Sequence, residues 1–265
     1  MSSSRHRISR AALAAAAAVS IAVVPVVSAT ANAAPARPTV VLVHGAFADP
    51  SSWNAVAQQL RDAGYTVVAP ANPLRGLASD ADAIADVLNG IDGPIVLAGH
   101  SYGGAVISQA AAGNPKVKAL VYIAAFMPDA GENLGLLTAR FPTLLPIALR
   151  PALAEGGIDL TIDKGLFRQF FAADLPVERT TQMAEDQHPV SATAFVSTPT
   201  AAAWRTIPSW AMVATEDQTL GPALERFEAQ RAGSHTVEVA GSHVVMISHP
   251  AEVTDLIEGA ADATD

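Results

Sequence analysis

Ser101 stands in a short motif whose residue types could support nucleophilic chemistry. It is the centre of the pentapeptide Gly99-His100-Ser101-Tyr102-Gly103. An apolar run at 95–98 precedes this motif, and an alanine-rich apolar stretch at 105–112 follows it. A buried strand that turns sharply into a helix presents a serine at the bend above the sheet edge, and small neighbours let strand and helix approach closely. The motif and its context therefore predict that Ser101 is a nucleophile.

A serine hydroxyl is a weak nucleophile until a base takes its proton, so a histidine is the next residue required. His243 follows Gly241 and Ser242 directly after the last predicted strand. A loop at that edge of the sheet would hold the imidazole over the serine. His44 and His100 flank the glycine and the serine of two turns and are predicted to be structural. We therefore predict that His243 is the base.

An acid is also needed to orient the imidazole, and Asp217 is the preferred candidate. It follows another predicted strand and lies in the chain between the predicted nucleophile and the predicted base. That order is typical of the fold in which the serine occupies such a strand-to-helix turn. Two alternatives stay open. Glu216 is the adjacent residue, and Asp129 follows the fourth predicted strand, from which it could approach the histidine on its other side.

Two backbone amides are predicted to form an oxyanion hole. Sites of this kind use the N–H of the residue after the nucleophile and one from the loop after the first strand. These are the amides of Tyr102 and of Ala46, which lies in His44-Gly45-Ala46-Phe47. Such donors are already oriented toward the charge that develops in the transition state, and one donor contributes about 3 kcal/mol.

The rest of the chain alternates short apolar runs with helical patterns, which is typical of a parallel sheet covered by helices. The strands are predicted at 39–43, 65–70, 95–98, 119–126, 210–215 and 236–240. The helices between and after them are predicted at 49–63, 79–88, 105–112, 222–232 and from about residue 250. The fold class is therefore α/β, with a mostly parallel, about six-stranded sheet and helices on both faces.

The alternation is interrupted at about 128–207, which predicts a helical cap inserted between two strands. Its clearest helical pieces are 132–140 and 176–187. Large apolar side chains in such a segment fill a small core or line a pocket, and substrate pockets are mainly apolar. Phe47, Phe126 and Met246, which lie outside or at the edge of the cap, are predicted as possible pocket neighbours of the substrate.

Residues 1–33 have the pattern of a secretory signal peptide. Three arginines precede an apolar core at 11–27, and Ala31-Asn32-Ala33 forms a small-x-small cleavage site. The core is shorter than the roughly 20 residues that span a bilayer and contains a proline, which disfavours a permanent anchor. We expect cleavage, secretion or an extracytoplasmic location, no stable membrane anchor afterwards, and a single domain at 34–265.

Charge and composition exclude several classes of function. Removal of residues 1–33 takes away three of the 16 lysines and arginines and none of the 25 acidic residues, which leaves a net charge of −12. An acidic chain without a basic cluster is a poor partner for nucleic acid. The absence of cysteine excludes disulfides and a thiol nucleophile. The sequence lacks a calcium loop, a zinc-binding His-Glu-x-x-His and a glycine-rich dinucleotide loop, so we expect neither metal nor cofactor.

Together these motifs resemble those of the α/β-hydrolase superfamily over nearly the whole predicted mature chain. The chain is most similar to the branch of small-molecule carboxylesterases, plant-type methylesterases and hydroxynitrile lyases. The motifs are Val41-Leu42-Val43-His44-Gly45-Ala46 followed by Trp53, the Ser101 pentapeptide with Gly104, Phe126-Met127-Pro128-Asp129, and Gly241-Ser242-His243. The resemblance implies a cofactor-free serine hydrolase that cleaves small, largely apolar esters through an acyl-enzyme. The chain departs from the family pattern because 34–39 leaves almost no room for the usual two leading antiparallel strands.

Two alternatives to an esterase share this fold. In the lyases of the resembling family, a lysine follows the catalytic histidine and its ammonium can stabilise departing cyanide. Here Val244-Val245-Met246 follows His243, and an apolar wall gives cyanide no charge partner. A non-catalytic binding protein is the second alternative, because a fold by itself does not determine function. The complete set of candidate residues favours ester hydrolysis, with a small-molecule ester as the expected partner.

Overall fold

The structure is a computed structural model that describes residues 37–264. The predicted signal peptide at 1–33 lies outside the described residues. In chain order, the strands are β1 (Thr39–Val43), β2 (Val67–Val68), β3 (Ile95–His100), β4 (Val117–Ile123), β5 (Leu149–Ala154), β6 (Gly157–Ile162), β7 (Val190–Ser191), β8 (Ser209–Ala214) and β9 (His235–Val239).

The helices follow the same order. They are α1 (Asn54–Asp62), α2 (Leu77–Asn89), α3 (Tyr102–Ala110), α4 (Leu134–Arg140), α5 (Leu145–Ala148), α6 (Lys164–Phe171), α7 (Val177–Asp186), α8 (Thr193–Val196), α9 (Pro222–Ala232), α10 (Val245–Ser248) and α11 (Pro250–Asp262). Short 3-10 helices lie at Pro50–Trp53 and Ala203–Arg205. Within residues 37–264, no helix is both long enough and apolar enough to cross a bilayer.

The central sheet has six parallel strands in the order β2-β1-β3-β4-β8-β9, which confirms the predicted fold class. Helix α1 packs against α11, and α2 packs against α3, so the helices form two separate layers. Because all six strands run in the same direction, their carboxyl ends meet at one edge. That edge receives the ends of β1, β3, β8 and β9, after which the predicted site residues lie.

The inner strands form from continuous apolar runs because both of their faces are covered. Every residue of β3 is buried, and so are the last four residues of β1. The second strand was predicted at 65–70 but pairs only over Val67 and Val68. It lies at the edge of the sheet, where one neighbour is missing and only β1 selects its register.

The segment between β4 and β8 was predicted to be helical, and the structure corrects this. Beside α4 to α8 it contains a small antiparallel sheet in the order β5-β6-β7. Strands β5 and β6 pair from Leu149 with Ile162 to Ala154 with Gly157, so only two residues connect them. Gly156 in that connection has a φ of 89°, a conformation that glycine adopts without strain. The β5 side chains are largely exposed and do not alternate, so the sequence lacks the pattern of a half-buried strand.

The core contains a fully buried acid, Glu228 of α9. Burial raises the pKa of Glu228 to about 8, although the nearby Arg231 opposes the shift. The guanidinium Nη2 of Arg231 lies 3.7 Å from Oε1 of Glu228. The carboxyl is therefore protonated near neutral pH.

We expect the free energy of unfolding of Glu228→Gln to increase relative to that of the wild type as the pH rises from about 4.5 to about 8. In this window Glu228 keeps its proton in the native protein but has lost it in the unfolded chain. The free energy of unfolding of the wild type therefore falls by up to about 1.4 kcal/mol per pH unit. Denaturant unfolding of both proteins across this range measures the difference between their free energies of unfolding. The titration of all other groups cancels in this difference. A difference that does not change with pH would show that Glu228 is ionised in the native protein.

Candidate active site

The turn between β3 and α3 holds Ser101 in a strained conformation. Its φ of 53° and ψ of −125° are rare for a residue other than glycine. Helix α3 begins at the next residue, so the serine lies at the amino end of that helix. Gly103 lets the helix approach β1, because a Cβ there would lie 2.6 Å from the carbonyl oxygen of Val43. The G-x-S-x-G spacing thus matches a sharp strand-to-helix turn.

The turn after β9 carries His243, whose side chain is fully buried. Its Nδ1 lies 2.6 Å from Oδ2 of Asp217, which follows β8. Because a carboxylate only accepts hydrogen bonds, the neutral imidazole carries its proton on Nδ1 and leaves Nε2 as an acceptor. Nε2 is buried and has no hydrogen-bond partner within residues 37–264. Ser101 and His243 are therefore not hydrogen-bonded in this structure, whereas His243 and Asp217 are.

Asp217 is held as an anion in a fixed orientation. Its Oδ1 accepts backbone hydrogen bonds from Thr219 at 2.5 Å and Leu220 at 3.2 Å. Burial by itself would raise the pKa of Asp217, but the charge and hydrogen bond of His243, with the other donors, hold it below its ordinary value. An ionised carboxylate on Nδ1 stabilises the imidazolium that forms when Nε2 takes a proton.

The alternative acids lie elsewhere. Asp129 forms an ion pair with Arg205 through both of its carboxylate oxygens, and this contact lowers the pKa of Asp129. Neither oxygen contacts His243. Glu216 is exposed, although its backbone N–H donates to the carbonyl oxygen of Gly241. The structure therefore brings only Asp217 of the three candidates to the imidazole.

His100 links the two turns of the site. Its Nε2 lies 2.9 Å from the carbonyl oxygen of His243, to which it donates. Burial and the proximity of His243 hold the pKa of His100 well below its ordinary value, so the ring is neutral. The residue before Ser101 thus fixes the backbone that carries His243.

His44 fixes the loop after β1. The backbone N–H of Asn72 donates to Nε2 of His44 at 2.9 Å, so the ring proton is on Nδ1 and is donated to the carbonyl oxygen of Gly45. Burial lowers the pKa of His44, which keeps the ring neutral. This loop touches the nucleophile turn, because a Cβ on Gly45 would lie only 2.7 Å from Cβ of Ser101.

Ala46 and Tyr102 provide two backbone N–H groups beside Ser101. Tyr102 is the first residue of α3, and the first N–H groups of a helix have no partner inside the helix. Ala46 is buried in the loop fixed by His44. In the described part of the chain, neither N–H donates to a carbonyl or a side chain. Both remain available for an oxyanion.

A pocket of about 230 Å³ lies between the loop after β1, the cap and the turn after His243. Phe47, Phe171 and Met246 are among its apolar lining residues, and α7 contributes polar ones. The ring of Phe171 lies 5.1 Å from that of His243 and 6.1 Å from that of Phe47, measured between ring centroids. Of the predicted pocket residues, Phe47 and Met246 line this space. Phe126 lies instead behind the nucleophile turn, where its N–H donates to the carbonyl oxygen of Ser101.

Asp174 in the cap is a site residue that the sequence did not indicate. Its Oδ2 accepts the backbone N–H of Ser242 at 2.9 Å, and its Oδ1 accepts the hydroxyl of the same residue at 2.5 Å. Although burial opposes ionisation, these hydrogen bonds lower the pKa of Asp174. The cap therefore fixes the residue immediately before His243. No helical or strand pattern could have indicated this contact, because the two residues lie 68 positions apart.

We expect Asp174→Ala to reduce turnover roughly tenfold or more, because it removes two hydrogen bonds to a carboxylate that hold the His243 turn. Ser242→Ala removes only the hydroxyl bond and leaves the backbone bond, so its effect should be smaller. Steady-state kinetics, normalised to the fraction of folded protein, measure both. Equal turnover in Asp174→Ala and the wild type would contradict the proposed bracing of the turn.

The donor chemistry around this site suits a proton relay. Within residues 37–264, no group of three or more histidine, cysteine or carboxylate side chains could hold a metal ion. The groups present are a hydroxyl, an imidazole, a buried carboxylate and two free amides. Together they can transfer a proton and stabilise an oxyanion.

Comparison with known proteins identifies the family of this chain. The model of the alpha/beta hydrolase family matches residues 40–256. A carbendazim-hydrolysing esterase from Nocardioides sp. is 35% identical over 127 residues, which are 43% of this chain and half the length of that esterase. Two relatives, one named as an esterase and one as an alpha/beta hydrolase, support the prediction of a hydrolase enzyme.

Solved structures share the fold. An extracellular alpha/beta-hydrolase from a Paenibacillus species has a TM-score of 0.70 and 23% identity, covering 84% of this chain and 98% of its own. A methylesterase from Arabidopsis has a TM-score of 0.71 and 15% identity, covering 85% of this chain and 99% of its own. The chain therefore belongs to the alpha/beta hydrolase family, as its motifs predicted.

Proposed function

We propose that this protein is a serine esterase that cleaves small, largely apolar carboxylic esters through an acyl-enzyme. The observation that carries the proposal is the buried pair of Asp217 and His243. It leaves an unpartnered imidazole nitrogen at the sheet edge that also holds Ser101. Such a nitrogen is the acceptor that a serine nucleophile requires. The name of the Nocardioides relative, an esterase, supports the same reaction class.

In the proposed reaction, Oγ of Ser101 attacks the ester carbonyl carbon while Nε2 of His243 takes the hydroxyl proton. The carbonyl oxygen becomes an oxyanion, which the N–H groups of Ala46 and Tyr102 stabilise. The C–O bond of the leaving alcohol then breaks, and the alcohol takes the proton from Nε2. Water repeats the sequence on the acyl-serine, which releases the acid and restores the serine. Asp217 stays ionised and stabilises the imidazolium at both stages.

The pocket beside His243 supports the proposed substrate class. Its volume of about 230 Å³ is small, and Phe47, Phe171 and Met246 provide apolar walls. An ester with a short acyl chain or a single aromatic ring matches these dimensions better than a long substrate. The apolar walls favour a largely apolar ester, and Asp49, Arg179 and Asp186 are among the residues that line the rest of the pocket.

Purified protein should hydrolyse fluorogenic acetate and butyrate esters, and a fluorophosphonate should label one serine. We expect turnover to fall as the acyl chain lengthens beyond the pocket. Labelled peptides identified by mass spectrometry give the position of the nucleophile. Folded protein that neither hydrolyses these esters nor reacts with the fluorophosphonate would contradict the proposed esterase and favour a binding protein.

We expect no cyanide release from mandelonitrile or acetone cyanohydrin. Buried Val244 follows His243, so this turn supplies no cation for departing cyanide. Lys164, which lies in the cap, forms an ion pair with Glu185 on the exposed surface. Cyanide release above the uncatalysed rate, lost in Ser101→Ala, would support a lyase instead.

We also propose that residues 1–33 direct export and are then removed. The pattern of this segment supports the proposal, and so does the likeness to the Paenibacillus hydrolase, which is an extracellular protein. Amino-terminal sequencing of protein recovered outside the cytoplasm should begin at residue 34. Retention of the full segment in the exported protein would contradict cleavage.

A further inference from the structure

A second buried carboxyl lies behind the catalytic acid. Glu225 belongs to α9, and only 3% of its surface is exposed. Its Oε2 accepts the backbone N–H of Ala214, the last residue of β8, at 2.9 Å. Its Oε1 is buried, and no N–H or hydroxyl of residues 37–264 donates to it. The mechanism proposed above does not use this side chain.

The carboxyl of Glu225 faces the turn that carries Asp217, because Ala214 donates its N–H to Glu225 and accepts the backbone N–H of Asp217 on its carbonyl oxygen at 3.2 Å. The buried Oε1 of Glu225, which no donor of the described residues reaches, and the Asp217 carboxyl can share a hydrogen bond there. Two ionised carboxylates cannot form a hydrogen bond with each other, so such a contact requires a proton on one of them. Asp217 already accepts from His243, Thr219 and Leu220. Glu225 accepts only from Ala214. The proton therefore belongs on Glu225, where fewer donors stabilise a negative charge.

The other charged groups near Glu225 agree with this assignment. Burial is the largest influence on the pKa of Glu225, and the charge of Asp217 follows, so the value lies well above the ordinary one. Glu228 on the same helix adds to this effect once it is itself ionised. Arg226, the adjacent cation, is on the exposed surface and pairs with Glu238. Neither neighbour therefore offers Glu225 a buried cation that would favour ionisation.

We propose that Glu225 is a positioning residue: its protonated carboxyl donates a hydrogen bond from Oε1 to the Asp217 carboxylate and so fixes the acid against His243. This inference rests on the proposed esterase function. The neutral donor holds Asp217 in place without adding a charge beside the imidazole. This hydrogen bond also draws part of the negative charge of Asp217 toward Glu225, so that less of the charge stabilises the imidazolium.

Three variants separate this role from simple packing. Glu225→Gln can keep both contacts, because its amide oxygen can accept from Ala214 while its NH₂ group donates to Asp217. Glu225→Leu removes both contacts at similar volume. Glu228→Gln is the matched control, since it changes another buried acid of the same helix that is not hydrogen-bonded to Asp217. Each variant is assayed with a fluorogenic ester, and its active sites are counted by fluorophosphonate titration.

For Glu225→Leu we expect kcat per active site to fall roughly tenfold to a hundredfold with little change in KM. The acid limb of kcat/KM should move to higher pH, because the unshared charge of Asp217 stabilises the protonated imidazole more strongly. Glu225→Gln should restore most of kcat and leave the limb near its wild-type position. A merely structural role would lower the number of active sites in Glu225→Leu but leave the pH profile unchanged, which would overturn the proposal.

Infrared spectroscopy tests the protonation state without depending on activity. Near neutral pH, the C=O stretch of a protonated carboxyl should be lost in Glu225→Gln, and a separate contribution should be lost in Glu228→Gln. A spectrum unchanged by Glu225→Gln would show that Glu225 is ionised and would overturn the proposal. So would an acid limb that moves to lower pH in Glu225→Gln, since that shift reports the loss of a negative charge. If the wild type had no esterase activity but Glu225→Gln still lost the infrared band, the proposed function would be contradicted. The hydrogen bond from protonated Glu225 to Asp217 would still be supported.

Discussion

Replacing Ser101 with alanine is expected to lower kcat for ester hydrolysis by roughly 10⁴- to 10⁶-fold. Alanine removes the oxygen that attacks the carbonyl carbon, and the neighbouring hydroxyl of Tyr102 donates to buried Asp80 instead. The remaining rate should come from the two oxyanion amides and from substrate binding. Stopped assays with fluorogenic esters over long incubations can quantify such a low turnover.

The fold should tolerate this substitution. Backbone hydrogen bonds hold the turn: the N–H of Ser101 donates to Ile123, and its carbonyl oxygen accepts from Phe126 and from Gly104. Alanine retains these bonds and the Cβ. The free energy of unfolding should therefore change by less than about 1 kcal/mol. Circular dichroism and denaturant unfolding provide the control. Substantial esterase activity in folded Ser101→Ala, or a fluorophosphonate adduct on another residue, would place the nucleophile elsewhere.

Replacing Asp217 with asparagine is expected to reduce kcat by about 10⁴-fold. Asparagine can keep the amide contacts from Thr219 and Leu220 through its oxygen. Its NH₂ group would then face Nδ1 of His243 and favour the tautomer with the proton on Nε2, which cannot accept from serine. The loss should appear in kcat rather than in KM, because the pocket beside His243 is unchanged.

Asp129→Asn is the matched control for that experiment. It weakens the surface ion pair with Arg205 and leaves the imidazole contact intact, so we expect nearly full activity. Exposed ion pairs contribute about 0 to 1 kcal/mol to stability, which predicts a small change in unfolding. A much larger loss of kcat from Asp129→Asn than from Asp217→Asn would transfer the role of acid to Asp129.

Much of the fold could be predicted from local sequence patterns, because the inner parallel strands are buried on both faces. A strand covered on both sides must be apolar along its length, so β1 and β3 are visible as apolar runs. Proline at the start and glycine at the end mark α9 at the predicted bounds. The order of the elements then predicted a parallel sheet. A helix between two strands returns the chain to the end of the sheet where the first strand began, so both strands run in the same direction.

The small sheet in the cap and the brief β2 strand could not be predicted in the same way. Exposed side chains in β5 give no alternation, and pairing with β6 depends on a two-residue turn rather than on an apolar face. At the edge of the main sheet, the length of β2 depends on how far β1 can pair with it. Both features follow from contacts with a partner strand, which a single segment does not encode by its own periodicity.

By itself, the sequence determined the family, the parallel sheet and the positions of a candidate serine, histidine and acid. It could do so because a nucleophile turn, a strand end and an apolar run are local patterns. Only the tertiary structure decided which carboxylate meets His243, that Asp174 braces the turn beside it, and that a second buried acid, Glu225, lies behind Asp217. These contacts join residues from different elements. Their energies depend on burial and donor geometry, and both exist only once the chain has folded.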